Sequence, residues 1–280
     1  MDLITVVLPV KNEARNLPRC ISSVAPLGPV LVVDSRSCDT TELVARDLGA
    51  EVLQFQWNGQ FPKKRNWTLR NYNFKTEWVL FLDADEFVTK AFISEVKDII
   101  QSTAHVGFWL NFENHFMGKK LRGGDSFRKL ALFRVGSGEY EKIEENNWSH
   151  FDMEVHEHPV LEGSIGEICE PIEHNDFRGL KHYIAKHNEY SSWEANRYLR
   201  LRADNKARCK SLSDEWGNLT ERQKKKYRNL SRWWLAPAYF FASYLLKFGF
   251  LDGAAGFHFA IGKAIYFYQI RLKILEDLSK

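Results

Sequence analysis

WVLFLDADE, residues 78–86, decides the fold. Trp78 to Leu82 are apolar without interruption, and the run halts at Asp83 and Asp85, with Ala84 between them and Glu86 alongside. A short continuous apolar run bounded by polar residues describes a strand buried on both faces of a largely parallel sheet. Carboxylates at its carboxyl end then lie in the crevice where open α/β sheets bind ligands. Two aspartates one residue apart supply hard oxygen ligands of the kind Mg2+ and Mn2+ take, usually shared with a substrate's phosphates. Taken alone, the stretch is equally a strand that ends in a solvated acidic turn. The residues upstream decide between the two.

Leu3–Val10 (LITVVLPV) is a β-branched-rich first strand, and from Asn12 to Ala25 apolar residues fall at Ala14, Leu17, Ile21 and Val24, a helical spacing. Val30–Val33 is a second strand ending at Asp34, Thr40–Leu48 a helix closed by Gly49, Glu51–Phe55 a third strand, and Pro62–Asn71 a basic helix. With Trp78–Leu82 as the fourth strand, the alternation implies right-handed crossovers and a parallel sheet with helices on both faces. Polar clusters then sit at strand ends on the ligand side: Lys11, Asn12 and Glu13; Asp34 to Ser37 with Asp39; and the Asp83/Asp85 pair. Lys63, Lys64, Arg65 and Asn66 add a basic group suited to a diphosphate. No GxGxxG or GxxxxGK[ST] follows the first strand, so phosphates would be met by a metal and basic side chains rather than by a glycine-rich cradle. Four clusters converging on one crevice favour a binding site over solvated surface.

The 280 residues suffice for one large domain or one and a half, and 44% hydrophobic with 27% charged residues is a globular composition. A formal charge of +3 is too small to indicate a nucleic-acid binder by itself, and the distribution is more telling, with Lys and Arg clustered in 197–232; no nucleic-acid partner is expected. Cys20, Cys38, Cys169 and Cys209 are scattered, with no CxxC pair, which suggests neither a zinc site nor a disulfide framework. The chain runs from Met1 directly into the first strand, with no basic n-region and no small-residue cleavage site, so a reducing, cytoplasmic location is the expectation.

LPVKNEARNL, VVDSRSCDTT, FPKKRNWTL and FLDADE together resemble the N-terminal half of the family 2 glycosyltransferases, inverting enzymes with the A-type glycosyltransferase fold. The resemblance continues through GFWLNFENHFMGKKLRGG, FRKLALFR, VHEHPV and YSSWEANR, nearest to the subgroup of lipopolysaccharide core β-1,4-glucosyltransferases and related surface-polysaccharide enzymes. It implies an α/β fold, Rossmann-like, with a mostly parallel sheet flanked by helices and a C-terminal helical extension. Residue by residue, it implies that Pro9, Val10 and Glu13 hold the base and ribose of a nucleoside diphosphate sugar. Asp34, with Ser35 beside it, reads the base, and Lys64 and Arg65 lie near the diphosphate. Asp83, Ala84 and Asp85 form the DxD motif, Asp83 near the ribose and Asp85 on the metal, Mg2+ or Mn2+. The second cluster departs from the common DSGSTDGT pattern, with Arg36, Cys38 and Thr40 at the positions of Gly, Thr and Gly.

Val106–Phe112 and Leu130–Val135 read as strands that complete the sheet. The loop between them, Met117–Asp125, carries Lys119, Lys120 and Arg122 and is either an exposed hairpin or a segment that closes over the donor or meets an anionic acceptor. An inverting transfer needs one base to take the acceptor hydroxyl's proton, and a partly buried carboxylate is suited to it. Glu157 matches the acid of the family's VHE segment and is the expected base, with Glu154 next and Asp152 a distant third. His174 is a candidate further metal ligand, the role a histidine has in some A-type enzymes.

Gly179–Ala207 reads as one long helix whose aromatics Tyr183, Tyr190, Trp193 and Tyr198 suit core packing. Trp233–Leu251 and Ala254–Ile270 are apolar and aromatic but interrupted by Pro237, Lys247, His258 and Lys263, too broken for membrane spans. Basic residues flanking such faces describe helices lying in the interface of an anionic leaflet, the alternative being a hairpin that packs on the catalytic domain or forms a homo-oligomer. The expected organisation is a nucleotide-sugar-binding catalytic domain over 1–178 and a helical region over 179–280. The expected function is metal-dependent, inverting transfer of a hexose from a UDP-sugar to a lipid-linked glycan, at the inner face of the cell membrane. The alternatives are a nucleotidyltransferase, which would want a glycine-rich loop after the first strand, and a non-catalytic sugar- or membrane-binding relative.

Overall fold

The computed structural model describes residues 3–124, 127–143, 151–152, 158–176, 178–207, 216–217 and 219–279. They form two compact units, one of residues 1–115 and 126–177, the other of residues 116–125 and 178–280.

The first unit is built on the expected parallel strands, β1 (Ile4–Val10), β2 (Val30–Asp34), β3 (Glu51–Gln54) and β4 (Trp78–Phe81). Period-two alternation sends their side chains to two cores, because both faces of the sheet are covered. Ile4, Val6, Leu8, Trp78, Leu80 and Leu82 enter one core with α1 (Leu17–Val24) and α4 (Lys90–Ile100). Val7, Leu31, Val33, Val79 and Phe81 enter the other, against Trp67 and Leu69 of α3 (Lys64–Asn71). Between β2 and β3 runs α2 (Thr41–Asp47). Every residue of β1 and β4 is buried, which is why these strands read as unbroken apolar runs.

The rest of this sheet comes from β5 (Glu86–Phe87), β6 (Gly107–Phe116), β8 (Phe127–Arg134) and β11 (Ile165–His174); β7 (Lys119–Lys120) belongs to the second unit, and β9 (Gly138–Tyr140) pairs separately with β10 (Pro159–Leu161). The strand order is β3-β2-β1-β4-β8-β6-β11-β5. The β1–β2, β2–β3, β1–β4 and β6–β11 pairs are parallel. Antiparallel pairing enters where β8 joins β4 and β6, and where β5 joins β11. This is the mostly parallel, helix-flanked sheet that the alternation predicts.

Two expectations need correction. The helix predicted from Asn12 begins only at Leu17, with Pro18 in its first turn. Asn12 has φ +57° and is tied to the loop after β2, its amide donating to Ser37 Oγ (2.7 Å) and its Oδ1 accepting from the Cys38 amide (2.9 Å). Those contacts hold the segment as a turn. The periodicity also gave no sign of β11, in which only Ile168 and Ile172 are fully buried and Pro171 falls at a register shift.

The second unit contains α5 (Leu180–Ala207) and helices Glu221–Asn229, Leu235–Phe241 and Gly253–Leu278. Ala195, Leu201, Tyr227, Leu230, Tyr266, Ile270 and Ile274 form its core. Buried Glu194 is paired with Lys226 and accepts from the Tyr227 hydroxyl (3.0 Å). Among the described residues no helix is long and apolar enough to cross a membrane.

Candidate active site

The parallel register sets the carboxyl ends of β1, β2 and β4 side by side, Val10 opposite Asp34 and Val7 opposite Phe81, so the three polar clusters share one edge of one sheet.

At the end of β2, Asp34 is 1% exposed and is held by neutral donors. Ser37 gives it both its amide (3.2 Å) and its hydroxyl, and Gln54 Nε2 reaches Oδ2 at 3.1 Å. Arg36, at a glycine position of the family pattern, takes the left-handed conformation itself, with φ +51°. The Ser35 amide donates to the Val10 carbonyl (3.1 Å), while the Ser35 hydroxyl is buried with no hydrogen-bond partner, an orphan of the kind a ligand satisfies. Glu13 stands opposite: its amide donates to Thr41 Oγ1 (2.8 Å) and its carboxylate accepts from Asn16 (2.8 Å). Asp39 binds the Thr41 hydroxyl and amide, and those hydrogen bonds, against desolvation that works upward, hold its carboxyl below the usual range.

At the end of β4 the balance is charged. Asp83 meets Lys129 Nζ at 2.6 Å and Arg65 at 3.2 Å. Lys129 also contacts Glu86, whose side chain is fully buried and accepts from the Asp83 amide (2.9 Å). Burial alone would raise the Asp83 carboxyl, but Lys129 and Arg65 outweigh it and hold Asp83 well below the usual carboxylate range. Burial would likewise lower Lys129, yet Asp83 and Glu86 keep its ammonium charged and raise it. At Glu86 burial prevails over Lys129 and the carboxyl is raised. Cys20 lies beneath, its thiol pushed up by burial and by Glu86.

Asp85 meets an imidazole. Its side chain is 4% exposed and faces His174 Nε2 at 3.5 Å. Burial would lower the imidazole, but the Asp85 carboxylate outweighs it and raises His174. The other ring nitrogen, Nδ1, lies 3.2 Å from Asn114 Oδ1, so both ring nitrogens face oxygen, an arrangement that the protonated imidazole satisfies. Among the described residues no three His, Cys, Asp or Glu side chains are grouped to hold a metal by themselves. A carboxylate beside an imidazole is instead a partial donor set, fitting a cation that takes its remaining ligands from substrate oxygens.

Lys64 and Arg65 open α3, and the structure separates them. Arg65 joins Asp83, whereas Lys64 Nζ turns inward, donating to the Val10 carbonyl (2.9 Å) and facing Asp152 at 3.3 Å. Burial lowers the Lys64 ammonium against the pull of Asp152. Lys64 thus fastens β1 to Asp152, and Arg65 is the one of the two that stands by the acids. Glu157 and Glu154 lie outside the described residues. Lys129 lies just before the expected strand Leu130–Val135, whereas β8 begins at Phe127 and takes it in; a lysine entering so apolar a run is the available signal. The register explains its place: antiparallel pairing of Leu80 with Leu132 brings the residues beyond β4 against those before Leu132. His174 is placed the same way, paired with Glu86 across β5 and β11.

Residues 5–155, more than half of the chain, match the family described as Glycosyl transferase family 2. Across 99% of its length the chain is 24% identical to an uncharacterized glycosyltransferase of Rickettsia felis, of which the match covers 92%. It is also 24% identical over 197 residues to the lipopolysaccharide core biosynthesis glycosyltransferase LpsC of Rhizobium meliloti, 67% of this chain and 68% of that one. Among solved structures it is similar to glucosyl-3-phosphoglycerate synthase from Mycobacterium tuberculosis in complex with Mn2+, UDP and glucosyl-3-phosphoglycerate, at 25% identity and a TM-score of 0.33. That match covers 41% of this chain and spans less than half, 44%, of the other.

Proposed function

The chain belongs to glycosyl transferase family 2, and on that premise we propose that it transfers a hexose, with inversion, from a UDP-sugar to a lipid-linked glycan of lipopolysaccharide or surface-polysaccharide biosynthesis. The observation that carries the reading is the division of labour along one sheet edge. A carboxylate in a nest of neutral donors (Asp34) stands beside a carboxylate–imidazole pair (Asp85 and His174), itself next to acids whose charge Lys129 and Arg65 offset. A nucleoside diphosphate asks for such a series: hydrogen-bonding oxygen for the base, then cationic groups for the phosphates.

In this reading Asp34, Pro9, Val10, Ser35 and Glu13 receive the nucleoside, and Asp83 and Ala84 lie along the ribose. Arg65 stands near the diphosphate while Lys64 fixes the β1 end from below. Asp85 and His174 would hold Mg2+ or Mn2+, which when bound offsets the charge that develops on the departing diphosphate. Glu157 would take the proton of the attacking acceptor hydroxyl. The relative named for lipopolysaccharide core biosynthesis supports a surface-glycan acceptor. Work on such an acceptor places the protein at the inner face of the cell membrane.

The test is thermal stabilisation by a panel of nucleotide sugars with Mn2+ or Mg2+, since a ligand bound by the folded state alone raises the melting temperature. One UDP-sugar is expected to raise it in a metal-dependent way, and Asp85→Ala to remove that shift and lower turnover by about a hundredfold to a thousandfold. Glu157→Gln is expected to keep the shift and lose transfer. If no nucleotide sugar stabilises the wild-type protein with either metal, the donor assignment fails.

A further inference from the structure

The second unit carries an apolar knuckle with no apolar cover among the described residues. After helix Leu235–Phe241 the chain passes through a π-helical turn, Ala242–Leu246, and a 3-10 turn, Gly249–Asp252, before helix Gly253–Leu278 begins. Leu246 is 77%, Phe248 60% and Leu251 65% exposed, with Leu245 and Phe250 exposed beside them. The knuckle is not a loose loop. Tyr244 packs on Phe240, Phe250 and Phe257 with ring centroids 5.5–6.4 Å apart. Phe248 takes the left-handed conformation, φ +59°, which is uncommon for a bulky residue.

A basic segment is fastened to it. The amides of Arg122 and Gly123 both donate to the buried Asp252 carboxylate (2.8–3.0 Å), Lys119 Nζ donates to the Asp252 carbonyl (2.8 Å), and the Gly124 amide donates to the Lys247 carbonyl (2.8 Å). A Cβ on Gly123 would lie 2.3 Å from the Phe248 carbonyl oxygen, so only glycine allows this approach. The result sets exposed Lys119, Lys120, Arg122 and Lys247 around exposed leucine and phenylalanine. A cleft of ≈ 330 Å³ lies there, lined by Lys119, Lys120, Arg122, Leu251 and Asp252. The segment 119–124 is therefore clamped at Asp252.

We propose that the knuckle 245–251 and the basic segment 119–122 form one docking face for an anionic lipid bilayer. The leucine and phenylalanine tips enter the acyl boundary, and the lysines and arginine meet lipid phosphates. Charge complementarity selects this occupant: an aromatic–aliphatic tip ringed by cations matches an anionic interface, where each nearby Lys or Arg strengthens binding about fivefold. A protein partner would have to supply both a hydrophobic socket and an acidic rim. For its purpose the proposal rests on the lipid-linked acceptor read above; its test does not.

Flotation of the full chain with phosphatidylcholine vesicles, with and without phosphatidylglycerol, provides that test. Wild type is expected to float with the anionic vesicles and to remain behind with the zwitterionic ones. Leu246→Gln with Phe248→Asn, which removes the tips while asparagine accommodates the left-handed backbone, is expected to lower partitioning at least tenfold with an unchanged melting temperature. Lys120→Gln with Lys247→Gln is expected to lower it about twenty-fivefold at low salt. Flotation equal to wild type in the first double variant, or no flotation of wild type with either vesicle, overturns the docking face. Sedimentation velocity in which that variant turns a dimer into a monomer assigns the face to a second copy and also overturns it. Donor binding on the same samples separates the readings: intact donor binding without flotation sinks this inference alone, and flotation without donor binding sinks the transferase reading alone.

Discussion

Asp34 and Asp83 stand at the ends of strands in one sheet, yet the protein treats the two carboxylates in opposite ways. Asp34 takes its hydrogen bonds from uncharged donors, Ser37 and Gln54, with the Lys64 ammonium acting on it only through space, and Ser37 is only three residues away in sequence. Asp83 is set between Lys129 and Arg65, and its closest partner is 46 residues distant. A carboxylate held by neutral dipoles keeps its full charge for a ligand's N–H or O–H groups. One set between two cations has that charge largely spent within the protein, and its removal strands the partners. The first arrangement is a recognition device, and the second gives the neighbouring Asp85–His174 pair a neutralised setting.

The most severe way to break the comparison is Lys129→Met. It leaves Asp83 with one cation and the fully buried Glu86 with none, and is expected to cost about 3–5 kcal/mol, read as a shifted denaturation midpoint. Lys129→Arg should recover most of that loss, and recovery by Gln as well would show that charge is not the cause. Asp34→Asn should be milder for the fold, since the amide oxygen still accepts from Ser37. Its cost of about 1.5–3 kcal/mol should appear instead in donor affinity, measured by calorimetry. Equal losses in stability and affinity would erase the distinction between the two acids.

The smallest effect concerns pH. Asp85 raises His174, so without metal the folded state holds that proton more tightly than the unfolded chain does. The pair's contribution is therefore fully present below the ordinary histidine range and is lost as pH rises through the folded-state value. Stability should decline across that upward window by at most about 1.4 kcal/mol per pH unit. His174→Gln should flatten the slope, whereas Asp34→Asn should leave it alone. A slope untouched by His174→Gln would remove the histidine from the cluster's charge balance.

These contrasts match what could be read before folding. The Asp34 nest is local: Asp34, Ser35, Ser37 and Asp39 lie in one short stretch, and a glycine-poor loop still closed because Arg36 accepted a left-handed backbone. The place of Asp85 followed from the end of an apolar run. FRKLALFR shows a lysine entering an apolar run, but not that it would serve Asp83 and Glu86, because that depends on an antiparallel register. Lys64 matched a basic position of the family pattern, but only packing sent its ammonium inward to Val10 and Asp152. The apolar segment 233–251 read as helical and is so from Leu235 to Leu246, but only the tertiary structure showed its end, 245–251, to be an exposed knuckle beside the loop that Asp252 clamps.

By itself the sequence determined the parallel half of the sheet, the two-sided burial of β1 and β4, and the edge on which the acids emerge. Period-two patterning and strand–helix alternation are properties of neighbouring residues. Only the tertiary structure decided which cation meets which acid, which lysine faces inward, and which apolar residues stay on the surface. Those outcomes rest on Coulomb and desolvation energies, which vary with separation and burial and take their values only once distant segments are brought together.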